Sequence, residues 1–576
     1  MMTNDVMARY QYWLDEPYFD EDTKRELRAI TGKELEIEDR FRKDLEFGTG
    51  GMRGLMGAGT NRLNIYTVRK ATQGLANYIK EQGGADRGVV ISFDSRVHSE
   101  EFAEQTALCL NANGIRTYRF ESLRPTPELS FAVRELGCIA GVAITASHNP
   151  AEYNGYKVYW EDGGQITPPH DRNIMNHAAA VTSWTAPKMM THAEAVEADL
   201  YKTLGEEIDE RYYEELLKLT IRPDVLKDQA DQLRIVYTPL NGCGNIPVRT
   251  VLKRLGIRHV KVVEEQEAPD GRFPTCPSPN PEEPAAWEYA LRTAKDYDAD
   301  LVIATDPDSD RLGVQAKDPK TGAYVLFTGN MTGVLMADYI LKERAARHTL
   351  PKDGILMSTI VSSPMGRPIA QEYGCAFRET LTGFKYIGEQ MRIFEEQGTP
   401  SFVFGYEESY GCLYGDYVRD KDAQSAVVIL AEMAASCRAR GITLVEALEE
   451  LYQKYGYWKE GLMTVKLSGQ DGRLKRQKLM EAMRNGTLSE IGGRKILAVR
   501  DYKTGLRSDR ITHKTEDTGL PVSNVIYYEL EGGWCCARPS GTEPKVKFYF
   551  GVCEETSEAA ETGLAALRQA LEALAG

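Results

Sequence analysis

The sequence predicts an α/β protein, with three related α/β domains built on mixed sheets and a smaller α+β domain at the C-terminal end. Three observations lead there. Apolar strand-like runs alternate with helix-period segments from about residue 50 to residue 455. The alternation comes in three rounds, and two of them share a helix–Gly–Ile–Arg–strand joint, at Gly114, Ile115 and Arg116 and again at Gly256, Ile257 and Arg258. After residue 455 the composition shifts to the strand-like runs "VIYYELEG", "WCCARPS" and "KVKFYFGV", followed by an Ala-rich helix. A chain of 576 residues is also too long for one core.

Taken in order, residues 1–45 alternate charged and apolar groups, as in "DEDTKRELRAITGKELEIEDRFRKDLEF", and read as a helical arm packed on the neighbouring domain. Residues 46–205 form the first α/β domain, with "GVVISFDS" a strand, "SEEFAEQTALCLNANG" a helix, "IRTYRF" a strand, "PELSFAVRELG" a helix and "GVAIT" a strand. Residues 206–322 repeat the plan in "LRIVYTPLNG", "IPVRTVLKRLG", "IRHVKVVEE", "EPAAWEYALRTAKDY" and "ADLVIATDPDSD". Residues 323–455 carry the third round, from "GILMSTIVSS" to "SAVVILAEMAASCRARG", and residues 456–576 the last domain. The shared joint glycines suit positions just past a helix, where a left-handed backbone is needed.

Composition narrows the function class. With 42% hydrophobic and 27% charged residues the chain reads as a water-soluble globular protein. Its net charge of −15 argues against nucleic acid or an anionic membrane surface as the main partner, but leaves room for a small anionic substrate where basic groups gather. No apolar run approaches bilayer length, and the acidic opening segment does not read as a signal peptide. Ten scattered cysteines, with no CxxC pair, suggest reduced thiols in the cytoplasm.

Four constellations carry chemistry. In "GVAITASHNPAEYNGYKVYW" a buried strand stops at an Asn-Pro turn, which places Ser147 at an exposed strand tip with His148 beside it. The plain alternative is a hydroxyl that only closes the turn. In "LVIATDPDSDRLGV", Asp306, Asp308 and Asp310 alternate past a strand, so an extended backbone would aim three carboxylates to one side. Each pair at about 4 Å repels by roughly 4 kcal/mol at an effective dielectric of 20, and a hard dication relieves that. An EF-hand is disfavoured because Arg311 and Lys317 stand where its glycine and bidentate glutamate belong. A solvated Asx turn is the alternative.

The third, "FVFGYEESYG", runs a buried strand into Glu407, Glu408 and Ser409, acceptors that suit sugar hydroxyls. The fourth, "ARPSGTEPKVKFYF", offers Arg538, Ser540, Gly541 and Thr542 as a phosphate cradle. Ordinary solvated turns would look the same. Further basic candidates are Arg53 in "GTGGMRG", Lys157 in "NGYKVY" and Lys385 in "TGFKY", against the usual fate of a surface charge.

Together, in order and spacing, these four segments resemble the α-D-phosphohexomutase superfamily across nearly the whole chain. "TASHNP" is similar to its phosphoserine loop, "DPDSDR" to its magnesium loop, "GYEESYG" to its sugar-selecting loop and "RPSGTEP" to its phosphate loop. "FGTGGMRG", "TNRLNIYTVRKA", "RPTPELSFAV" and "TLTGFKYIGE" are similar to the phosphoglucomutase-2-like branch, which spans α-phosphoglucomutases, phosphopentomutases and glucose-1,6-bisphosphate synthases. The Glu-Glu-Ser order is that of glucose-handling members, and Tyr410 stands where some relatives have a histidine.

The resemblance implies a phosphoserine, sugar-phosphate substrates and a glucose 1,6-bisphosphate intermediate that also serves as activator. Ser147 would carry the phosphoryl group and, with Asp306, Asp308 and Asp310, hold Mg2+. Arg53, His148 and Lys157 would lie at the transfer point, with proton transfer open between His148 and Lys157. Arg311, Lys385, Glu407, Ser409, Arg538, Ser540, Gly541 and Thr542 would bind substrate. The implied activity is interconversion of α-D-glucose 1-phosphate and glucose 6-phosphate, by a monomer or small homo-oligomer. Rival readings are a phosphopentomutase, a sugar bisphosphate synthase, a haloacid-dehalogenase-type phosphatase and a non-catalytic sugar-phosphate-binding protein. The phosphatase reading leaves "TASHNP" without a role, and the non-catalytic one predicts a lost serine or aspartate where none is missing.

Overall fold

The computed structural model describes residues 4–48, 50–467, 472–486, 488–539 and 545–575. The chain falls into two compact units, one of residues 1–328, 384–404 and 409–441, the other of residues 329–383, 405–408 and 442–576.

The first unit opens with the helical arm. Its helices Asn4–Asp15, Glu21–Arg28 and Glu34–Phe41 bury Trp13, Phe19, Leu27 and Phe41. Trp13 stacks on Phe19 at 4.2 Å and meets Tyr66 and Trp184 edge-on. The arm also grips residues 57–62: Arg62 pairs with Asp39 at 2.5 Å, and Leu45 N–H donates to the Thr60 carbonyl at 2.7 Å.

Beyond the arm lie two sheets. The first contains β1 (Gly51–Leu55), β2 (Val89–Phe93), β3 (Thr117–Phe120), β4 (Ala140–Ile144), β5 (Tyr153–Trp160) and β6 (Tyr201–Leu204), in the order β1-β5-β4-β2-β3-β6. The four strands β4, β2, β3 and β6 run parallel, while β5 is antiparallel to β4 and β1 to β5. The second contains β7 (Arg234–Thr238), β8 (His259–Val262), β9 (Leu301–Thr305), β10 (Leu312–Lys317) and β11 (Tyr324–Phe327), ordered β11-β10-β9-β7-β8. Here β9, β7 and β8 are parallel, and β10 and β11 return antiparallel. All five residues of β2, β4 and β9 are buried, as expected of strands covered on both faces. The joint glycines take φ of 78° at Gly114 and 87° at Gly256.

The two sheets share one device. A central parallel strand (β4 or β9) ends in a short loop and reverses into an antiparallel neighbour (β5 or β10). These two loops hold Ser147 and the three aspartates, at the carboxyl ends of strands where α/β sheets present ligand sites.

In the second unit, strands Gly354–Thr359 and Ala376–Thr380 pair in parallel, with helices Gly329–Ala346, Gly366–Glu372 and Leu444–Tyr455 in the same body. The C-terminal sheet is antiparallel. Its principal strands lie in the order Tyr457–Lys466, Lys545–Glu554, Gly533–Pro539, Ile526–Leu530, Arg494–Asp501. Helix Ser557–Ala575 lays Ala560, Leu567 and Leu571 onto a core with Phe548, Phe550 and Val552. The sequence-predicted class, three α/β sheets and a smaller α+β domain, is the one observed.

Candidate active site

Ser147 comes three residues after β4. Thr145 Oγ1 accepts from the Ser147 N–H at 2.8 Å, and the tight turn puts Ser147 at φ 53°, a conformation uncommon outside glycine. The sequence reading placed this serine at an exposed tip. It is at the tip but only 3% exposed, because the loop after β9 closes over it. Ser147 Oγ donates to Asp306 Oδ2 at 2.8 Å and stands 3.2 Å from His148 Nδ1.

The aspartate loop also differs from the extended reading. Ser309 adopts φ 52° and its N–H bonds to the Asp306 carbonyl at 2.9 Å, so the chain turns. Asp306 Oδ1 then accepts from the N–H groups of Asp310 and Arg311, at 3.2 and 3.1 Å. The turn, rather than pleat alternation, gathers the carboxylates: one oxygen from each of Asp306, Asp308 and Asp310 lies within 4.8 Å of the others, and all three residues are buried.

Basic groups surround them. β5 carries Lys157 opposite Ala143, and β1 carries Arg53 opposite Gly155, so pairing places Arg53 and Lys157 on one face beside the end of β4. Lys157 Nζ donates to Asp308 Oδ2 at 2.7 Å and lies 3.8 Å from Asp310. Arg53 reaches the Asn149 amide oxygen at 3.1 Å. Arg311 pairs with Glu282 at 2.6 Å and lies 3.9 Å from both Asp306 and Asp310.

Burial raises the cost of ionising every member of the trio, and the pKa of Asp306 stands well above the ordinary carboxylate value through burial and the crowding of Asp308 and Asp310. Asp308 suffers the same burial, but Lys157 holds its pKa far below the usual value. Burial, with Arg311 and Arg53 nearby, holds the His148 imidazole well below its ordinary pKa. The donor set fits a hard dication. Asp308 Oδ1 and Asp310 Oδ1 are buried without a hydrogen-bond partner, which a cation would supply.

Three contributors escaped the sequence reading. Arg96, fully buried, sends Nη1 to the carbonyls of Pro150 and Tyr153 at 2.8 and 3.0 Å, and Nη2 to those of Ser147, at 2.5 Å, and Asn149. Lys421, in the charge run "RDKD", meets Asp310 at 3.1 Å. Thr126, at the start of helix Thr126–Glu135, donates to Asp308 at 3.2 Å.

The remaining candidates lie further along the chain. Lys385 is the second residue of helix Phe384–Gln397, and burial lowers its pKa. Ser409 belongs to the first unit, whereas Glu407, Glu408 and Arg538 belong to the second. Glu407 is 5% exposed; Glu408 Oε2 accepts from Thr359 Oγ1 at 3.1 Å and Ser362 Oγ at 3.2 Å. Arg538 pairs across strands with Lys547. Ser540, Gly541 and Thr542 lie outside the described residues.

Comparisons with known proteins agree with one another. Family models for phosphoglucomutase/phosphomannomutase alpha/beta/alpha domains I, II and III match residues 44–184, 210–320 and 328–455. A phosphoglucomutase of Staphylococcus haemolyticus is 36% identical over 515 residues, 89% of this chain and 91% of its own. One from Staphylococcus aureus MRSA252 is 34% identical over 531 residues, 92% of this chain and 93% of its own. Among solved structures, a phosphoglucomutase/phosphomannomutase family protein from Burkholderia thailandensis aligns with TM-score 0.64 at 20% identity, over 92% of this chain and 97% of its own. The Paramecium pp63/parafusin open form aligns with TM-score 0.68 at 17% identity, over 92% and 94%. With its three α/β sheets and its paired serine and aspartate loops, the chain belongs to the phosphoglucomutase/phosphomannomutase family of the α-D-phosphohexomutase superfamily.

Proposed function

We propose that this protein is a phosphoglucomutase, interconverting α-D-glucose 1-phosphate and glucose 6-phosphate through a phosphoserine and a glucose 1,6-bisphosphate intermediate. The observation that carries the reading is Ser147 Oγ, 2.8 Å from Asp306 inside a buried trio of aspartates flanked by Lys157 and Arg53. Relatives named phosphoglucomutase, 34–36% identical over about nine-tenths of the chain, support the choice of sugar.

In this reading Ser147 carries a phosphoryl group. A free hydroxyl of the bound sugar monophosphate attacks phosphorus in line and the bond from phosphorus to Ser147 Oγ breaks. The hydroxyl proton passes to a base on the attacking side, and the serine oxygen takes up a proton to become the free hydroxyl. His148, whose Nδ1 faces the serine oxygen, is placed on the leaving side and suits proton exchange with Ser147 Oγ, while the Lys157 ammonium is held by Asp308. The bisphosphate turns around, and its other phosphoryl group returns to Ser147. Asp306, Asp308 and Asp310, with an oxygen of the Ser147 phosphate, would hold magnesium, which when bound offsets charge on the transferring phosphoryl group. Arg53, Arg311 and Lys157 supply fixed positive charge, and positioning with electrostatics provides most of the acceleration in such transfers. Glu407 and Ser409 would take sugar hydroxyls, and Arg538 with residues 540–542 the phosphate that is not reacting. The ten free thiols support a reducing, cytoplasmic setting.

The test is a turnover panel with glucose 1-phosphate, mannose 1-phosphate and ribose 1-phosphate, with and without glucose 1,6-bisphosphate, on the parent and on Ser147→Ala. The expected result is preference for glucose 1-phosphate, dependence on bisphosphate, phosphate mapped to Ser147, and loss of activity in Ser147→Ala. Preference for ribose 1-phosphate, or full activity without Ser147, overturns the reading.

A further inference from the structure

We propose that Arg500 and Glu379 form a reversible latch that positions Arg538, a role that rests on Arg538 being the phosphate contact. The second unit supplies the geometry. Arg500, near the end of strand Arg494–Asp501, sends Nη1 to Glu379 Oε2 at 2.9 Å and Nε to Glu529 Oε1 at 2.6 Å, while its guanidinium lies 4.8 Å over the Tyr527 ring. Glu379 sits on strand Ala376–Thr380, opposite Ser358 of the parallel neighbour. The contact therefore joins the C-terminal sheet to the α/β part of the same body.

Register carries that contact to Arg538. Arg500 faces Tyr527, and Tyr527 faces Cys536, so the three form one row across adjacent strands and share a sheet face. Arg538 is two residues beyond Cys536, so it projects from the same face one step along. Cys536, fully buried, stands on this face between Tyr527 and Arg538. Glu408 is fixed to Thr359 and Ser362, at the carboxyl end of the strand beside Glu379. Holding Arg500 on Glu379 thus sets how far Arg538 stands from these strand ends.

The pair is also built to part. Arg500 and Glu379 are only 20% and 18% exposed, so this is not a solvent-screened surface pair. Each has a second partner. Glu529 keeps hold of Arg500, and Arg367 lies 3.4 Å from Glu379. Separation therefore strands no buried charge, the step that makes breaking most buried ion pairs costly. A planar guanidinium shared between two carboxylates and stacked on an aromatic ring suits this exchange better than an ammonium would.

The test compares Arg500→Gln, Glu379→Gln, the double variant, Arg500→Lys and Arg538→Ala. Measured are KM for glucose 1-phosphate, kcat at saturating bisphosphate, bisphosphate released per turnover, and melting temperature. Each Gln variant is expected to raise KM five- to twentyfold and to increase bisphosphate release, with kcat within threefold of the parent. The double variant should be no worse than Arg500→Gln, because Arg500→Gln already removes the contact to Glu379, and Arg500→Lys should fall between parent and Arg500→Gln. If Arg500→Gln does not fold, Glu379→Gln and Arg500→Lys carry the comparison. Melting temperatures that fall while KM and bisphosphate release stay put overturn the latch, as does an additive double variant. Unchanged KM in Arg538→Ala overturns the cradle reading instead. A defective Arg538→Ala beside normal Arg500→Gln and Glu379→Gln overturns only the latch.

Discussion

One guanidinium fixes the backbone around the candidate nucleophile. Arg96 satisfies the carbonyls of Ser147, Asn149, Pro150 and Tyr153, and is braced by Asp94 at 3.3 Å and by the Phe273 ring at 5.0 Å. Its planar fork reaches carbonyls on two sides, whereas the point-like ammonium of lysine cannot span them. Arg96→Lys should leave at least one buried carbonyl unpaired, at about 1–3 kcal/mol, and let the Ser147 turn wander. The expected outcome is a tenfold to hundredfold slower phosphorylation of Ser147 by glucose 1,6-bisphosphate, monitored by intact mass, in a folded protein. Phosphorylation at the parent rate would show that the turn stands without Arg96. This residue was not legible in the sequence because the four carbonyls it satisfies lie 51 or more positions away. The one available sign was its place: Asp94, Ser95 and Arg96 come directly after a wholly buried strand, just as "TASHNP" and "DPDSDR" do. The serine and aspartate loops were legible because their chemistry is packed into six or seven consecutive residues.

The elements that carry these residues were read well where one run of apolar residues makes one strand or helix. Strand direction was less legible, since β1, β5, β10 and β11 run antiparallel for reasons of tertiary pairing that leave no mark on their composition. The alternation of Asp306, Asp308 and Asp310 suggested an extended backbone, and the left-handed Ser309 overrides it. Close approach of β5 to β4 is where an element decides the site. A Cβ built on Gly155 would stand 2.2 Å from the Thr145 carbonyl oxygen, a backbone atom that cannot swing aside. Gly155→Ala should therefore push β5 outward, and Lys157 with it, loosening the 2.7 Å contact to Asp308. Overpacking of this kind costs about 1–3 kcal/mol. The expected result is kcat/KM lowered at least tenfold, with a native circular dichroism spectrum and a melting temperature a few degrees lower. A fully active Gly155→Ala would mean that the strands separate without moving Lys157.

At the scale of the whole molecule, the question is whether the buried trio is the metal site of a chain whose net charge of −15 would attract any dication weakly over its surface. Stability answers it without reference to turnover. A cation bound only by the folded state at a hundred times its dissociation constant adds about 2.7 kcal/mol. Spread over the unfolding entropy of a body of some hundreds of residues, that raises the melting temperature by about 3 °C. Diffuse binding to surface carboxylates gives no comparable saturating shift, because the unfolded chain carries the same charges. Asp306→Asn separates the two cases. Its amide oxygen can still accept from the N–H groups of Asp310 and Arg311, so the loop should keep its turn. Removing one carboxylate also relieves repulsion within the trio, so without metal the variant should melt at or above the parent temperature. The parent should show a magnesium-dependent rise that saturates, and Asp306→Asn should lose it. A saturating shift that survives in Asp306→Asn would move the metal away from Asp306, Asp308 and Asp310.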